Sequence, residues 1–117
     1  MHRVLAELGY GHREAVYQRA LTVELMHRKV PSLTEVPVPF FTRGLCVGSG
    51  RIDILTKAYI LELKAVTMTK AMLHRCQQQT RKYIRAMRIA NQNRHTRSGI
   101  IIFIDSDRLK LYIRRCS

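Results

Sequence analysis

Two acids and a lysine near the middle of the chain, Asp53, Glu62 and Lys64, have the types and spacing for chemistry. They lie in Arg51-Ile52-Asp53-Ile54-Leu55-Thr56-Lys57-Ala58-Tyr59-Ile60-Leu61-Glu62-Leu63-Lys64, which reads as a hairpin turning at Lys57-Ala58. With that turn, antiparallel partners have numbers summing to 115. Asp53 then faces Glu62, at a Cβ separation of roughly 4.5–5.5 Å. Lys64, two residues beyond Glu62, shares its face and falls opposite Arg51. Ile52, Ile54, Tyr59, Leu61 and Leu63 make the other face, expected to pack into a core. Carboxylates held side by side repel unless a cation lies between them. Their oxygens suit Mg²⁺ or Mn²⁺, and Mg²⁺ uses one or two carboxylates while keeping several waters. Such an ion would bind a phosphate oxygen and lower the pKa of a bound water. The lysine would steer that water or steady the phosphorus. Taken alone, D-x(8)-E-x-K is a loose pattern. An exposed hairpin with an ion pair worth about 0–1 kcal/mol accounts for it as well.

The elements that must position these residues follow from hydrophobic spacing. Val4, Leu5 and Leu8 predict a short helical lead-in ending at Gly9-Tyr10-Gly11. A helix is predicted over about 12–29, with Val16, Ala20, Val23 and His27 as its apolar stripe, widened by Leu21 and Leu25. Glu14 sits in its first turn, where the helix dipole favours an acid whether or not it has a catalytic role. Residues 33–41 read as a strand, and Pro37 and Pro39 predict an edge position because proline donates no hydrogen bond. Thr42-Arg43-Gly44 is a turn, Leu45-Cys46-Val47 returns antiparallel, and Gly48-Ser49-Gly50 reads as a bulge or bend. A long helix is predicted over about 69–90. One stripe is Met72, Cys76, Gln79, Tyr83, Ala86 and Ala90, and a second is Leu73, Thr80, Ile84 and Met87. Gln79 is polar inside the core-facing stripe, a position where glutamine commonly satisfies a backbone group. Residues 100–105 form an apolar run typical of a strand covered on both faces. Asp105-Ser106-Asp107 turns it, and 109–113 is the final strand. The order predicts an α/β sandwich with a mixed sheet.

At 117 residues and 46% hydrophobic content, the chain is expected to form a single domain, 1–117. Twenty-one Lys and Arg against eight Asp and Glu give a net charge of +13 and a pI near 10.5. That balance points to a polyanionic partner, nucleic acid first. Arg75, Arg81, Lys82, Arg85 and Arg88 decorate the long helix without an acid to pair them, and Arg94, His95 and Arg97 continue the sign. With Arg51 and Lys70, the basic residues Arg75, Arg81, Lys82 and Arg85 are the candidate nucleic-acid contacts. Cys46, Cys76 and Cys116 suggest neither a disulfide framework nor a zinc knuckle, which favours an intracellular setting, cytoplasm or nucleus. No signal-peptide core and no run near the ~18 apolar residues of a membrane span is present.

Leu8-Gly9-Tyr10-Gly11-His12-Arg13-Glu14-Ala15-Val16-Tyr17, Thr34-Glu35-Val36-Pro37-Val38, Arg51-Ile52-Asp53-Ile54-Leu55, Glu62-Leu63-Lys64-Ala65 and Gln79-Thr80-Arg81-Lys82-Tyr83-Ile84 occur in that order. Together they resemble the GxxExxY family of the PD-(D/E)XK nuclease superfamily, over residues from about 4 to 113. Thr80-Arg81 departs from the family's usual apolar pair, and the long helix is more basic than its norm. The resemblance implies a restriction-endonuclease-like αβββαβ core, a central mixed β-sheet flanked by helices, as in Holliday-junction resolvases and type II restriction enzymes. It implies Asp53 and Glu62 as metal ligands, the Leu63 carbonyl as a third, Glu14 as a helix-borne acid at the same metal, Lys64 as catalytic lysine, and Gln79 orienting water or substrate. The function it implies is a Mg²⁺- or Mn²⁺-dependent nuclease acting on DNA before RNA, with structured or branched DNA as candidate substrate. The rival reading is a catalytically inactive basic nucleic-acid-binding or packaging protein on the same fold. A homodimer is expected, because a domain of this size has little room to embrace a duplex alone.

Overall fold

The computed structural model describes residues 1–91 and 97–117. Arg94 and His95, and the side chain of Ala90, lie outside the described residues. Two glycines set the entry to the molecule. Gly9 and Gly11 have φ of 70° and 98°, the left-handed region where a side chain is strained. They end α1 (His2–Leu8) and turn the chain into α2 (Glu14–His27). The buried face of α2 is Tyr17 and Leu21, with Ala20 and Leu25 packed partly beside them. This corrects the predicted stripe: Val16, Val23 and His27 face solvent. The spacing was right for a helix and wrong by about one residue in phase, because α2 buries a tyrosine instead of two valines.

Five strands follow the order β1-β2-β3-β4-β5 across one mixed sheet. They are β1 (Ser32–Thr42), β2 (Leu45–Thr56), β3 (Tyr59–Lys64), β4 (Ser98–Asp105) and β5 (Lys110–Cys116). β1, β2 and β3 form an antiparallel meander, β4 lies parallel to β3, and β5 returns antiparallel. The parallel step requires a crossover, supplied by α3 (Lys70–Asn91). The prolines of β1 stand on a sheet edge, as their missing N–H groups require. Arg43 and Gly44, both at positive φ, make the tight β1–β2 turn.

Gly48-Ser49-Gly50 is no bend. These residues continue β2 and pair with Phe40, Pro39 and Val38, and the bulge lies between Phe40 and Phe41. Gly50 is needed for a different reason: a Cβ there would stand 2.5 Å from the Tyr83 ring. Leu109, expected in the last strand, lies in the preceding turn with φ 53°.

Helices cover both sheet faces. α1 and α2 bury Val4, Tyr17 and Leu21 on Ile54, Leu61, Leu63, Ile102 and Ile104. On the opposite face α3 packs Tyr83 and Ile84 on Val38, Ile52, Leu55 and Ile60, and Cys76 on Ile101, Phe103 and Cys116. β4 is covered on both sides, which its unbroken apolar run predicted. Thr80 of α3 is fully buried and donates to the Cys76 carbonyl at 2.7 Å. Its methyl fills the place of a Gly99 side chain, where a Cβ would lie 2.2 Å away. That contact sets how closely α3 approaches β4.

Candidate active site

The hairpin register is the one its turn dictates: Ile54 pairs with Leu61 and Leu55 with Ile60. The pairing stops there. Asp53 and Glu62 are not a ladder pair, and Lys64 does not fall opposite Arg51; Lys64 pairs with Phe103 of β4, and Arg51 with Pro37 of β1. Ile52 also leaves its expected face. It packs under α3 with Leu55, whereas Ile54 packs under α1 and α2.

A local break explains all three departures. Glu35 and Asp53 drop out of an otherwise continuous β1–β2 register. Glu35 has φ 52°, a strained value for a residue with a side chain. Strict alternation fails at this point, so Ile52 and Leu55 reach the same helix across a spacing of three residues. Freed from the ladder, the Asp53 backbone finds a new partner: its carbonyl accepts from Gln18 Nε2 of α2 at 2.9 Å. Its carboxylate turns across to β3, where Oδ2 accepts from the Leu63 N–H at 2.9 Å. Gln18 is a residue that sequence reasoning missed. It adjoins the L-G-x-G-x-x-E-x-V-Y segment, and only the fold shows that it reaches Asp53.

Glu62 sits beside Asp53, 5% exposed, between Leu61 and Leu63, which point to the other face. Its Oε1 is buried and has no hydrogen-bond partner. Burial first, and then the neighbouring Asp53 carboxylate, push its pKa up to about 8, and the nearby Lys64 ammonium opposes them only in part. Glu14 comes from the first turn of α2, and its Oε1 accepts from the Ala65 N–H at 3.2 Å, at the end of β3. Tyr17 holds the loop before it: the Tyr17 hydroxyl donates to the Gly9 carbonyl at 2.7 Å and accepts from the His12 N–H at 3.3 Å. Glu14, Glu62 and Lys64 all act electrostatically on buried Cys76 below them, whose thiol is raised chiefly by its burial. The fold therefore gathers Glu14, Asp53, Glu62, Leu63 and Lys64 around the end of β3.

Gln79 is placed differently from its expected position in the core stripe. It is exposed, and its Nε2 donates to the Tyr83 hydroxyl at 2.6 Å. That hydroxyl also accepts from the Arg51 N–H at 3.2 Å. Lys70, Arg75, Arg81, Lys82 and Arg85 are exposed along α3, and Arg51 pairs loosely with Glu35 at 3.9 Å.

A buried carboxylate with an orphaned oxygen, adjacent to a second carboxylate, fits a divalent cation: the ion would supply the missing partner and offset the repulsion. Among the described residues, no group of three or more His, Cys, Asp and Glu side chains could by itself hold a metal. Mg²⁺ commonly binds through one or two carboxylates with water completing the shell, so the Asp53–Glu62 pair suffices.

A mixed sheet between helices, with this acid pair and lysine on its second and third strands, has the architecture of a restriction-endonuclease-like α/β core. The PD-(D/E)XK nuclease superfamily matches residues 1–115, and the chain belongs to that superfamily. Membership points to a nuclease and to nucleic acid as its substrate. No curated protein and no solved structure matches the chain.

Proposed function

We propose that this chain, as a GxxExxY-type member of the superfamily, is a Mg²⁺- or Mn²⁺-dependent nuclease that hydrolyses phosphodiester bonds, with DNA as the first candidate. The observation that carries this reading is the buried, partnerless Glu62 Oε1 beside Asp53. Asp53 and Glu62 would hold the metal, with the Leu63 carbonyl and Glu14 as further ligands. When bound, the ion supplies Lewis acidity at a phosphate oxygen and acidifies a bound water. The chain's own residues do the rest. Gln18 and the Leu63 N–H fix the Asp53 carbonyl and carboxylate. Lys64 places a cation beside the acid pair, where it would stabilise charge on the phosphorus oxygens. The basic residues Arg51, Lys70, Arg75, Arg81, Lys82 and Arg85 would hold the backbone phosphates.

The test is cleavage of plasmid, linear, single-stranded and four-way DNA, and of RNA, with Mg²⁺, Mn²⁺ or EDTA. Asp53→Ala, Glu62→Ala and Lys64→Ala should each lower the rate by two orders of magnitude or more, in keeping with loss of a metal ligand or a charge stabiliser. Cutting that survives Asp53→Ala and Glu62→Ala removes the site. Binding without cutting under every metal promotes the inactive nucleic-acid-binding reading.

A further inference from the structure

One face of α3 carries Arg75, Gln78, Gln79 and Lys82, the spacing that lines residues along a single helix side. Across from it stand Phe40 of β1 and Ser49 and Gly50 of β2, enclosing a cleft of roughly 350 Å³ with Tyr83 as its floor. No acid lines it. The floor is rigid. Tyr83 is 2% exposed, occupies the space of a Gly50 side chain, and has its hydroxyl fixed by the Arg51 N–H and Gln79 Nε2. Because the Gln79 amide nitrogen is engaged there, its carbonyl oxygen is the group left to accept from a ligand. The half-buried Phe40 ring lies parallel to Tyr83, with centroids 6.3 Å apart, and adds an aromatic wall.

We infer that this cleft between α3 and the β1–β2 hairpin binds an unpaired nucleotide of a single-stranded segment, and that such a segment belongs to the substrate. The inference rests on the nuclease reading for its purpose, and on the cleft for its content. Arg75 and Lys82 are about 10 Å apart along the helix, at 1.5 Å per residue, so they would grip backbone phosphates about two nucleotides apart. Gln78 and Gln79 lie between them, where a base edge would meet an amide. Bases that are not paired expose both a face for stacking and an edge for hydrogen bonding; those inside a duplex do not. The volume is at the low end for a ligand pocket, about right for one nucleotide and too small for stacked base pairs. Gly50 precedes Asp53 by three residues of strand, about 10 Å, so an occupied cleft would put neighbouring phosphates near the carboxylates.

The experiment is fluorescence anisotropy of the full chain in EDTA, where binding is read without cleavage. The probes are short single-stranded DNA and RNA, blunt duplex DNA, and the same duplex with a single-stranded tail. Single strands and the tailed duplex should bind about tenfold more tightly than the blunt duplex, the scale of one stacked base. Phe40→Ala should remove about that factor from the single-stranded and tailed probes and leave the blunt duplex unchanged. Arg75→Ala and Lys82→Ala should each reduce the slope of log Kd against log salt by roughly 0.7 on single strands. Lys110→Ala, on the far edge of the sheet, should leave the tail preference intact. Gln78→Ala and Gln79→Ala alter exposed side chains, and thermal melts of all variants separate lost contacts from lost fold. Equal affinity for blunt and tailed duplex, or a loss of equal size on both probes in Phe40→Ala, overturns the inference. A tail preference in a chain that never cuts would sink the nuclease reading and leave the cleft standing. Cutting of blunt duplex without any tail preference would do the reverse.

Discussion

At the scale of single residues, Glu62 carries the most testable physics. Its folded pKa of about 8 lies above the ordinary carboxyl value of 4.5. The native state therefore holds an extra proton between these values, so the linked stability is complete below pH 4.5 and is lost as pH rises through 8. Metal-free protein should lose on the order of a few kcal/mol across that window. Glu62→Gln, which cannot ionise, should flatten the difference while abolishing cleavage; urea midpoints of both proteins between pH 5 and pH 9 check this. Added Mg²⁺ should recover stability at the alkaline end, because the ion takes the ionised form. Gln18 supplies a second residue-scale prediction. Gln18→Ala should lower kcat about tenfold with KM little changed, since displacement of a positioned group is felt in the transition state. Gln18→Glu keeps the shape but not the donor and should fare no better.

Elements show where sequence was legible and where it was not. The turn at Lys57-Ala58 fixed the β2–β3 register, and the prolines of β1 announced an edge, because both follow from chain geometry within a few residues. Residue type and spacing singled out Asp53, Glu62 and Lys64, and the resemblance added Glu14; the fold gathers the four at one end of β3. The Asp53 break was not, since it depends on a strained Glu35 and on an α2 side chain 35 residues away. Gln79 fooled the helical stripe for a similar reason: Tyr83 beneath Gly50 takes the core position, which pushes the glutamine to the rim. Two glycines measure how tightly α3 is seated. Gly50→Ala and Gly99→Ala should each destabilise by about 1–3 kcal/mol, the usual cost of overpacking, as read from urea unfolding. The second is the more severe, because Thr80 is fully buried and has nowhere to go.

For the molecule as a whole, a net charge of +13 predicts nucleic-acid binding that weakens steeply with salt. None of the helices among the described residues is long and apolar enough to cross a membrane. The proposed homodimer would let two acid pairs meet two strands, and light scattering at working concentration decides it; a monomer there removes the dimer. Asp105, fully buried at the end of β4, ties two segments together: its carboxylate accepts from the Met68 and Arg108 N–H groups at 3.1 Å. Burial works against its charge, but those amides and the Arg108 guanidinium outweigh it and hold the carboxyl below its ordinary value. The stability it contributes is present above that value and is lost as pH falls through the lowered one, so Asp105→Asn should lower stability at neutral pH and flatten its fall on the acid side, as read from urea midpoints of both proteins.

The parallel seam between β3 and β4 has a consequence in time. β3 finds its parallel neighbour only after the whole of α3 has been made, and Ile102 and Ile104 then extend the apolar face that Leu61 and Leu63 begin. A chain emerging from the ribosome therefore displays both acids well before it can hold them still. Any metal site those acids form is therefore complete only once β4 has docked beside β3.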